Sequence, residues 1–209
     1  MRVLLAGFGP FPGAPHNPSG AVAQALARRR RPALAALDRS VHVFATSYAA
    51  VDRDLPKLFA NTPDIVLIFG LAGRRRQICI ETRARNARSL LFPDASGSRS
   101  SIGVIEAKGP DALWGRAPFH RLLHAARGGQ APARLSRDAG RYLCNYVYWR
   151  ALQRAPHDRP LVQFIHIPAI ARGPRPLHRG NRKRQAPTLA QVIAAAENLL
   201  IALAAARKH

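Results

Sequence analysis

Short runs of consecutive apolar residues alternate along the chain with longer stretches whose apolar positions recur every three or four residues. Continuous apolar runs of strand length mark strands buried on both faces, and the wider period marks helices with one face in a core. On this pattern Arg2–Ala6 is a first strand and Gly20–Arg30 a helix, opened by the capping side chains of Asn17-Pro18-Ser19. Val41–Thr46 is a second strand, followed by a helix from Ala50 to Phe59, and Pro63 leads into Asp64–Phe69, an apolar run suited to the middle of a sheet. Gln77–Arg83 alternates polar and apolar residues, which predicts a strand with one exposed face. Ala131–Ser136 reads as a short strand and Leu161–Ile167 as another buried one. Phe119–Arg127 and Ala139–Arg154 are expected to be helical, as is Leu189–Ala206, an amphipathic terminal helix capped by Thr188. Residues 87–110 lack a helical period and are read as a hairpin or loop, and residues 171–186, rich in Gly, Pro and positive charge, as a mobile loop.

Strands and helices in alternation predict an α/β layered domain. At 209 residues, 47% of them hydrophobic, the chain suits one domain with a sizeable core. The opening Met1–Pro10 is too soon interrupted by Gly and Pro for a signal peptide, and the terminal apolar stretch is shorter than a membrane span requires. Two cysteines far apart in sequence are no disulfide framework, so a reducing, cytoplasmic setting is expected. The formal net charge of +22 comes almost wholly from arginine, since Lys57, Lys108, Lys183 and Lys208 are the only lysines. Such a bias beside abundant Ala, Pro and Gly is what genome composition can produce. A basic chain invites a nucleic-acid reading, but finger, zipper, helix-turn-helix and aromatic RNA-binding signatures are all missing, which leaves non-specific polyanion binding at low salt.

The candidate chemistry centres on Cys144, where the polar turn Ser136–Arg141 runs into an aromatic helix. Partial positive charge at a helix start and a nearby imidazolium would lower its pKa, with Asp138 as a cap that sets Cys144 in the first turns. The plain alternative is a small buried hydrophobe, the reading that Cys79 takes in mid-strand. His166 ends an apolar run just before Pro168, which puts it at the carboxyl edge of a central strand, where open α/β sheets place their sites; a core histidine is the alternative. His120, His124, His157 and His178 fall on exposed faces or loops without metal-ligand spacing. A carboxylate would fix the imidazole tautomer, and with 11 acidic residues the search is short. Glu81 is the candidate, Glu106 and Glu197 looking peripheral; the alternative for Glu81 is an ordinary ion pair with Arg83 or Arg85.

Taken in order, Gly7-Phe8-Gly9-Pro10-Phe11, Asn17-Pro18-Ser19, Gly70-Leu71-Ala72, Glu81 with Asn86, Asp138-Ala139-Gly140 with Tyr142, Cys144-Asn145 and Phe164-Ile165-His166-Ile167-Pro168 resemble the pyroglutamyl peptidase I family nearly end to end. The resemblance implies a single-domain three-layer α/β/α sandwich with a mixed, mostly parallel central sheet, and a cytosolic cysteine peptidase acting on peptides with an N-terminal pyroglutamate. It implies Cys144 as nucleophile, His166 as base and then acid, Glu81 as the residue orienting His166, and no metal or organic cofactor. Phe8 and Phe11 match the aromatic walls of the lactam pocket, Tyr142 and Leu143 the two residues before the cysteine, and Thr46, Asn17 and the backbone around Leu71 are further pocket candidates. Without the resemblance, Phe8 and Phe11 would read as core. Relatives that are monomers or small homo-oligomers point toward self-association.

The sequence also departs from the family. An arginine about ten residues beyond the glutamate, which helps shape the oxyanion region in relatives, is replaced by Leu90 and Leu91, with Arg88 the nearest substitute. Leu71 stands where some relatives carry glutamine, Tyr142 where others carry phenylalanine, and residues 88–116 are the least family-like. Two other readings therefore stay beside the peptidase: a hydrolase for another cyclic amide, and a catalytically weak relative that binds anions or peptides. Retention of all three catalytic identities favours an enzyme over a pure binder.

Overall fold

A computed structural model describes residues 1–11, 13–155, 159–170 and 186–208; most of the basic stretch expected to be a loop, and His157 and His178, lie outside the described residues. Eight strands and five α-helices follow one another among them: β1 Arg2–Phe8, α1 Ser19–Arg28, β2 Asp38–Phe44, α2 Tyr48–Ala60, β3 Ile65–Leu71, β4 Ile78–Glu81, β5 Arg83–Arg85, β6 Ala112–Trp114, α3 Phe119–Arg127, β7 Ala133–Ser136, α4 Leu143–Gln153, β8 Leu161–Ile167 and α5 Leu189–Arg207. Six strands form the central sheet in the order β2-β1-β3-β8-β4-β7. β2, β1, β3 and β8 are parallel, β4 runs antiparallel to β8, and β7 is parallel to β4. The sheet is therefore mixed, with its reversal at the β8–β4 junction.

Alternation of side chains along each strand builds two cores, because successive residues point to opposite faces. Val3, Leu5, Ile65, Leu67, Phe69, Ile165 and Ile167 pack under Val22 and Leu26 of α1, Leu122 and Ala126 of α3, and Leu199, Leu200 and Leu203 of α5. Leu4, Ala6, Phe8, Val66, Ile68, Val162 and Phe164 face Val51 and Leu55 of α2 and Tyr146, Val147 and Trp149 of α4. Three layers result, as the family resemblance implies.

Several local expectations are corrected. Gln77–Arg83 is not one strand with a wet face: all four residues of β4 are buried, because β8 and β7 flank it and α3 packs on it, while Arg83–Arg85 leaves the sheet to pair with β6. Residues 86–111, between β5 and β6, are a loop braced by side chains. The Asn86 Oδ1 accepts from the N–H of Ile105 at 2.8 Å and of Glu106 at 2.9 Å. Asp94 accepts from the N–H groups of Tyr48, Ser96 and Ser98.

Glu197 is not peripheral but 2% exposed, and its carboxylate meets Arg29 at 3.3 Å and Arg31 at 2.5 Å. This pins α5 to the segment after α1. The helix is long and apolar enough to cross a membrane by composition, yet Leu199, Leu200 and Leu203 are buried against α1, α3 and the sheet. The capping box expected at Thr188 is present, Thr188 Oγ1 accepting from Gln191 N at 3.2 Å and Gln191 Oε1 from Thr188 N at 3.0 Å.

These contacts rank two substitutions. Thr188→Ala removes a cap and is expected to cost about 1 kcal/mol, whereas Leu199→Ala, at a wholly buried position on the inner face of α5, is expected to cost about 2–5 kcal/mol. Urea denaturation of both variants checks the order; equal losses would mean that α5 contributes little through its buried face.

Candidate active site

Glu81 closes β4 with no solvent exposure. Across the antiparallel pair Glu81 stands opposite Phe164 and Cys79 opposite His166, so these four side chains leave the sheet on one face. Glu81 and His166 are then diagonal neighbours, a separation that long side chains bridge. The Glu81 Oε1 lies 2.8 Å from His166 Nδ1, which assigns the proton to Nδ1 and leaves Nε2 as the acceptor of the neutral ring. The cation against Glu81 is neither Arg83 nor Arg85 but Arg75, whose Nη1 is 2.5 Å from Oε1. Arg83 donates instead to the Arg137 carbonyl at 3.0 Å, and Arg85 faces the Asp138 carboxylate at 3.5 Å. Burial alone would push the Glu81 carboxyl up. The hydrogen bond and charge of His166, with Ser136 and Arg75, outweigh it and hold the group below its ordinary range.

Cys144 reaches the same place from the helix side. α4 starts at Leu143, later than Ala139, because Gly140 takes a left-handed φ of 81°. Asp138 does not cap the helix: its Oδ1 accepts from Gly140 N at 3.1 Å, closing a turn that precedes it. Cys144 is thus the second helical residue. Its sulfur lies directly over Gly70, where a Cβ would come within 2.8 Å of Sγ and 2.6 Å of the Phe164 ring. Gly70 is in register with His166 on the adjacent parallel strand, so the thiol and the imidazole share one face and one level of the sheet. The Phe164 ring, edge-on to His166 at 4.9 Å between centroids, lies below both. The expectation of a lowered thiol pKa is overturned. Burial pushes Cys144 up to about 12, with the Glu81 charge adding to the rise and Arg75 opposing it.

The residues named for the pocket fall into two groups. Phe8 and Leu143 lie within the core, at 2% and 1% exposure, Phe8 packing on Phe44. Phe11 is half-buried, its ring 6.3 Å from that of Tyr142, whose hydroxyl donates to the Pro93 carbonyl at 2.9 Å. Asn17 and Thr46 both donate to the Gly9 carbonyl, at 3.1 and 3.2 Å, which fixes the chain leading to Phe11. Asn17 and Leu71 line a cleft of about 790 Å³ with His16, Ala169 and Ile170. A second cleft, of about 540 Å³, lies at the opposite edge of the sheet against Arg2, Asp64 and Arg159, away from the thiol. Arg88 spreads its guanidinium over Tyr48 and Tyr146, at 4.3 and 5.0 Å, while Leu90 and Leu91 are exposed.

Sequence reasoning missed Arg75, hidden in the run Arg74-Arg75-Arg76, and Asn145. The fully buried Asn145 accepts from Arg85 N at 2.8 Å and donates to the Arg85 and Ala87 carbonyls at 2.8 and 3.0 Å, tying β5 to the residue after the thiol. A polar residue following a candidate nucleophile inside an apolar helix was the available signal. Among the described residues no group of three or more His, Cys, Asp or Glu side chains could hold a metal ion.

Comparison with known proteins gives concordant results. The family model for pyroglutamyl peptidase matches residues 1–207. The pyrrolidone-carboxylate peptidase of Gloeobacter violaceus is 34% identical over 172 residues, covering 81% of this chain and 82% of its own. That of Bacillus subtilis is 31% identical over 172 residues, covering 81% and 79%. Among solved structures, the pyroglutamyl peptidase I of Bacillus amyloliquefaciens superposes with a TM-score of 0.79 at 28% identity, covering 98% of this chain and 97% of the other. The pyrrolidone carboxyl peptidase of Thermococcus litoralis gives 0.82 at 27% identity, covering 99% and 95%.

A thiol whose pKa is raised by burial stays protonated below its folded value, so the reactive form appears only as the pH climbs toward it. Alkylation of Cys144 by iodoacetamide in the ligand-free protein, followed by peptide mass mapping, is expected to accelerate through pH 10; a plateau at neutral pH would show a pre-formed thiolate. Asn145→Ala leaves the Arg85 and Ala87 groups without partners and is expected to cost about 1–3 kcal/mol in urea denaturation.

Proposed function

The chain belongs to the pyroglutamyl peptidase family, and on that premise we propose that it is a cytoplasmic cysteine omega-peptidase that removes N-terminal pyroglutamyl residues from peptides. The observation that carries the reading is the convergence of Cys144, His166 and Glu81 on one face of the sheet, with Glu81 hydrogen-bonded to His166 at 2.8 Å and Cys144 seated on Gly70. Cys144 is the nucleophile, His166 the proton carrier and Glu81 the group that orients and charges the imidazole.

Because the resting thiol is neutral, its activation is coupled to attack. The His166 Nε2 takes the Sγ proton as sulfur bonds to the acyl carbon beyond the lactam ring, and Glu81 stabilises the imidazolium that forms. The oxygen of the tetrahedral species faces the start of α4, where the first N–H groups of a helix lack intrahelical partners. Collapse breaks the C–N bond, the imidazolium protonates the departing amine, and a thioester remains. Water then adds to the thioester, giving one proton to His166, and that proton returns to sulfur as the acid leaves.

The pyroglutamyl lactam is neutral and flat, which suits apolar walls with a few polar groups. Phe11, Tyr142 and the Leu71 edge supply the walls. Asn17 and Thr46 are already committed to Gly9, so they shape the Gly9–Phe11 segment, and polar recognition of the ring falls to main-chain groups beside Leu71. A hydrolase for another cyclic amide stays as the second reading, favoured by the exposed Leu90, Leu91 and Phe92 in the stretch least like the family.

Hydrolysis of a pyroglutamyl fluorogenic amide under reducing conditions tests the proposal, with an alanyl amide as control. Turnover of the pyroglutamyl substrate alone is expected, falling on the order of 10⁴-fold or more in Cys144→Ala and in His166→Ala. Glu81→Gln, which removes the charge, is expected to lose about 10²- to 10⁴-fold in kcat. A folded, reduced protein without turnover would favour the second reading.

A further inference from the structure

The side chain that joins the two halves of the site belongs to neither of them. Arg75 lies in the turn after β3, its own N–H bonded to the Ala72 carbonyl at 2.8 Å. Its Nη1 donates to Glu81 Oε1 at 2.5 Å and to Ser136 Oγ at 3.3 Å, while Nη2 donates to the carbonyl of Asp138. The Asp138 N–H donates to Glu81 Oε2 at 3.2 Å. The Asp138 residue is therefore gripped at its carbonyl by Arg75 and at its amide by the carboxylate that Arg75 holds. Four residues beyond Asp138 the chain becomes the N-cap of α4, and Cys144 is its second helical residue.

We propose that Arg75 is a positioning residue for the hydrolytic reaction, which fixes the Glu81 carboxylate toward His166 and at the same time anchors the turn from which the Cys144 helix springs. The inference rests on the active-site reading given above. Its physical basis is a planar fork whose two arms serve Glu81 with Ser136 and the Asp138 carbonyl at a fixed spacing, something a point charge cannot reproduce. Glu81 has no exposure and Arg75 is 22% exposed in its side chain, so the pair is shielded from screening while the guanidinium keeps contact with solvent. The groups that face the Glu81 carboxyl are His166 from β8, Ser136 from β7, Cys144 and Tyr148 from α4 and Arg75 from the turn. Arg75 is the one permanent cation among them. Without it, a buried carboxylate beside a neutral imidazole takes up a proton more readily.

Arg75→Gln, Arg75→Lys and Arg75→Ala test the assignment. In Arg75→Gln kcat is expected to fall about 10²-fold with KM changed less than about threefold, as for a misplaced catalytic group. The acid limb of kcat/KM is expected to move to higher pH by about one unit. Arg75→Lys retains the charge and is expected to keep the acid limb while losing about tenfold in kcat, because the second arm of the fork is gone. Added guanidinium ion is expected to restore part of the Arg75→Ala activity.

Unchanged kcat and acid limb in a folded Arg75→Gln overturn the inference, as does a Lys variant with full activity. If the wild-type protein turns over no pyroglutamyl amide, the activity reading has failed, and the assignment is then decided by carbon-13 titration of the Glu81 carboxyl and by the alkylation rate of Cys144. An upward shift of the titration in Arg75→Gln with altered alkylation sustains it, and two unmoved signals end it. If Arg75→Gln does not fold, the Lys variant carries the same readouts, with the titration expected to hold and the alkylation rate to change.

Discussion

A carboxylate sealed inside a sheet is tolerable only if its charge is compensated on the spot, and Glu81 sets that condition for everything around it. The compensation comes from three directions: the imidazole of His166 on the neighbouring strand, the guanidinium of Arg75 from the turn before, and the Asp138 amide from the turn after β7. Its main chain is held as firmly, since Tyr148 and Gln163 both donate to the Glu81 carbonyl, at 3.0 and 2.9 Å. The reversal of β4 against β8 makes this arrangement accessible. In an antiparallel pair Glu81 and His166 become diagonal neighbours on one face, and the carboxylate meets the imidazole directly.

The same face imposes a second requirement. The proposed nucleophile arrives from α4 and approaches the sheet closely over Gly70, where any side chain would collide with Cys144 and Phe164. Close approach brings burial, and burial keeps the thiol protonated. Geometry and protonation are thus linked: the packing that brings sulfur and imidazole to one face also denies the sulfur a resting charge, and in the proposed reaction proton transfer to His166 becomes part of bond formation.

Much of this was legible in the sequence, for identifiable reasons. Ile65–Leu71 and Leu161–Ile167 are central and buried on both faces, and their predominantly apolar runs, broken only by Gln163 and His166 in the second, say so. Cys144, His166 and Glu81 stand out because their polar atoms interrupt apolar stretches. What escaped notice depends on partners distant in sequence. β4 looked half-exposed because its polar residue is the buried Glu81, whose compensation comes from Arg75, His166 and Asp138. α4 starts later than the apolar pattern around Gly140 implies, because the left-handed conformation of that glycine leaves no mark in the pattern. Glu197 seemed peripheral in a helix of leucines and alanines, and only the fold shows that Arg29 and Arg31 come round to meet it. Arg75 could not be told from Arg74 and Arg76 by any local rule, since what singles it out is the position of Asp138.

The order of strands carries one more consequence, for the way the protein comes into being. β8 is the last strand to leave the ribosome, yet it lies between β3 and β4, which were made earlier and do not touch each other in the sheet. Until it arrives, the polypeptide can hold a three-stranded piece, β2-β1-β3, and a two-stranded piece, β4-β7, with a vacant slot between them. The Cys144 thiol and the Glu81 carboxylate are synthesised before that slot is filled, and without the imidazole of His166. A growing chain therefore lacks the proposed triad, and the insertion that completes the sheet is also what brings His166 beside Glu81.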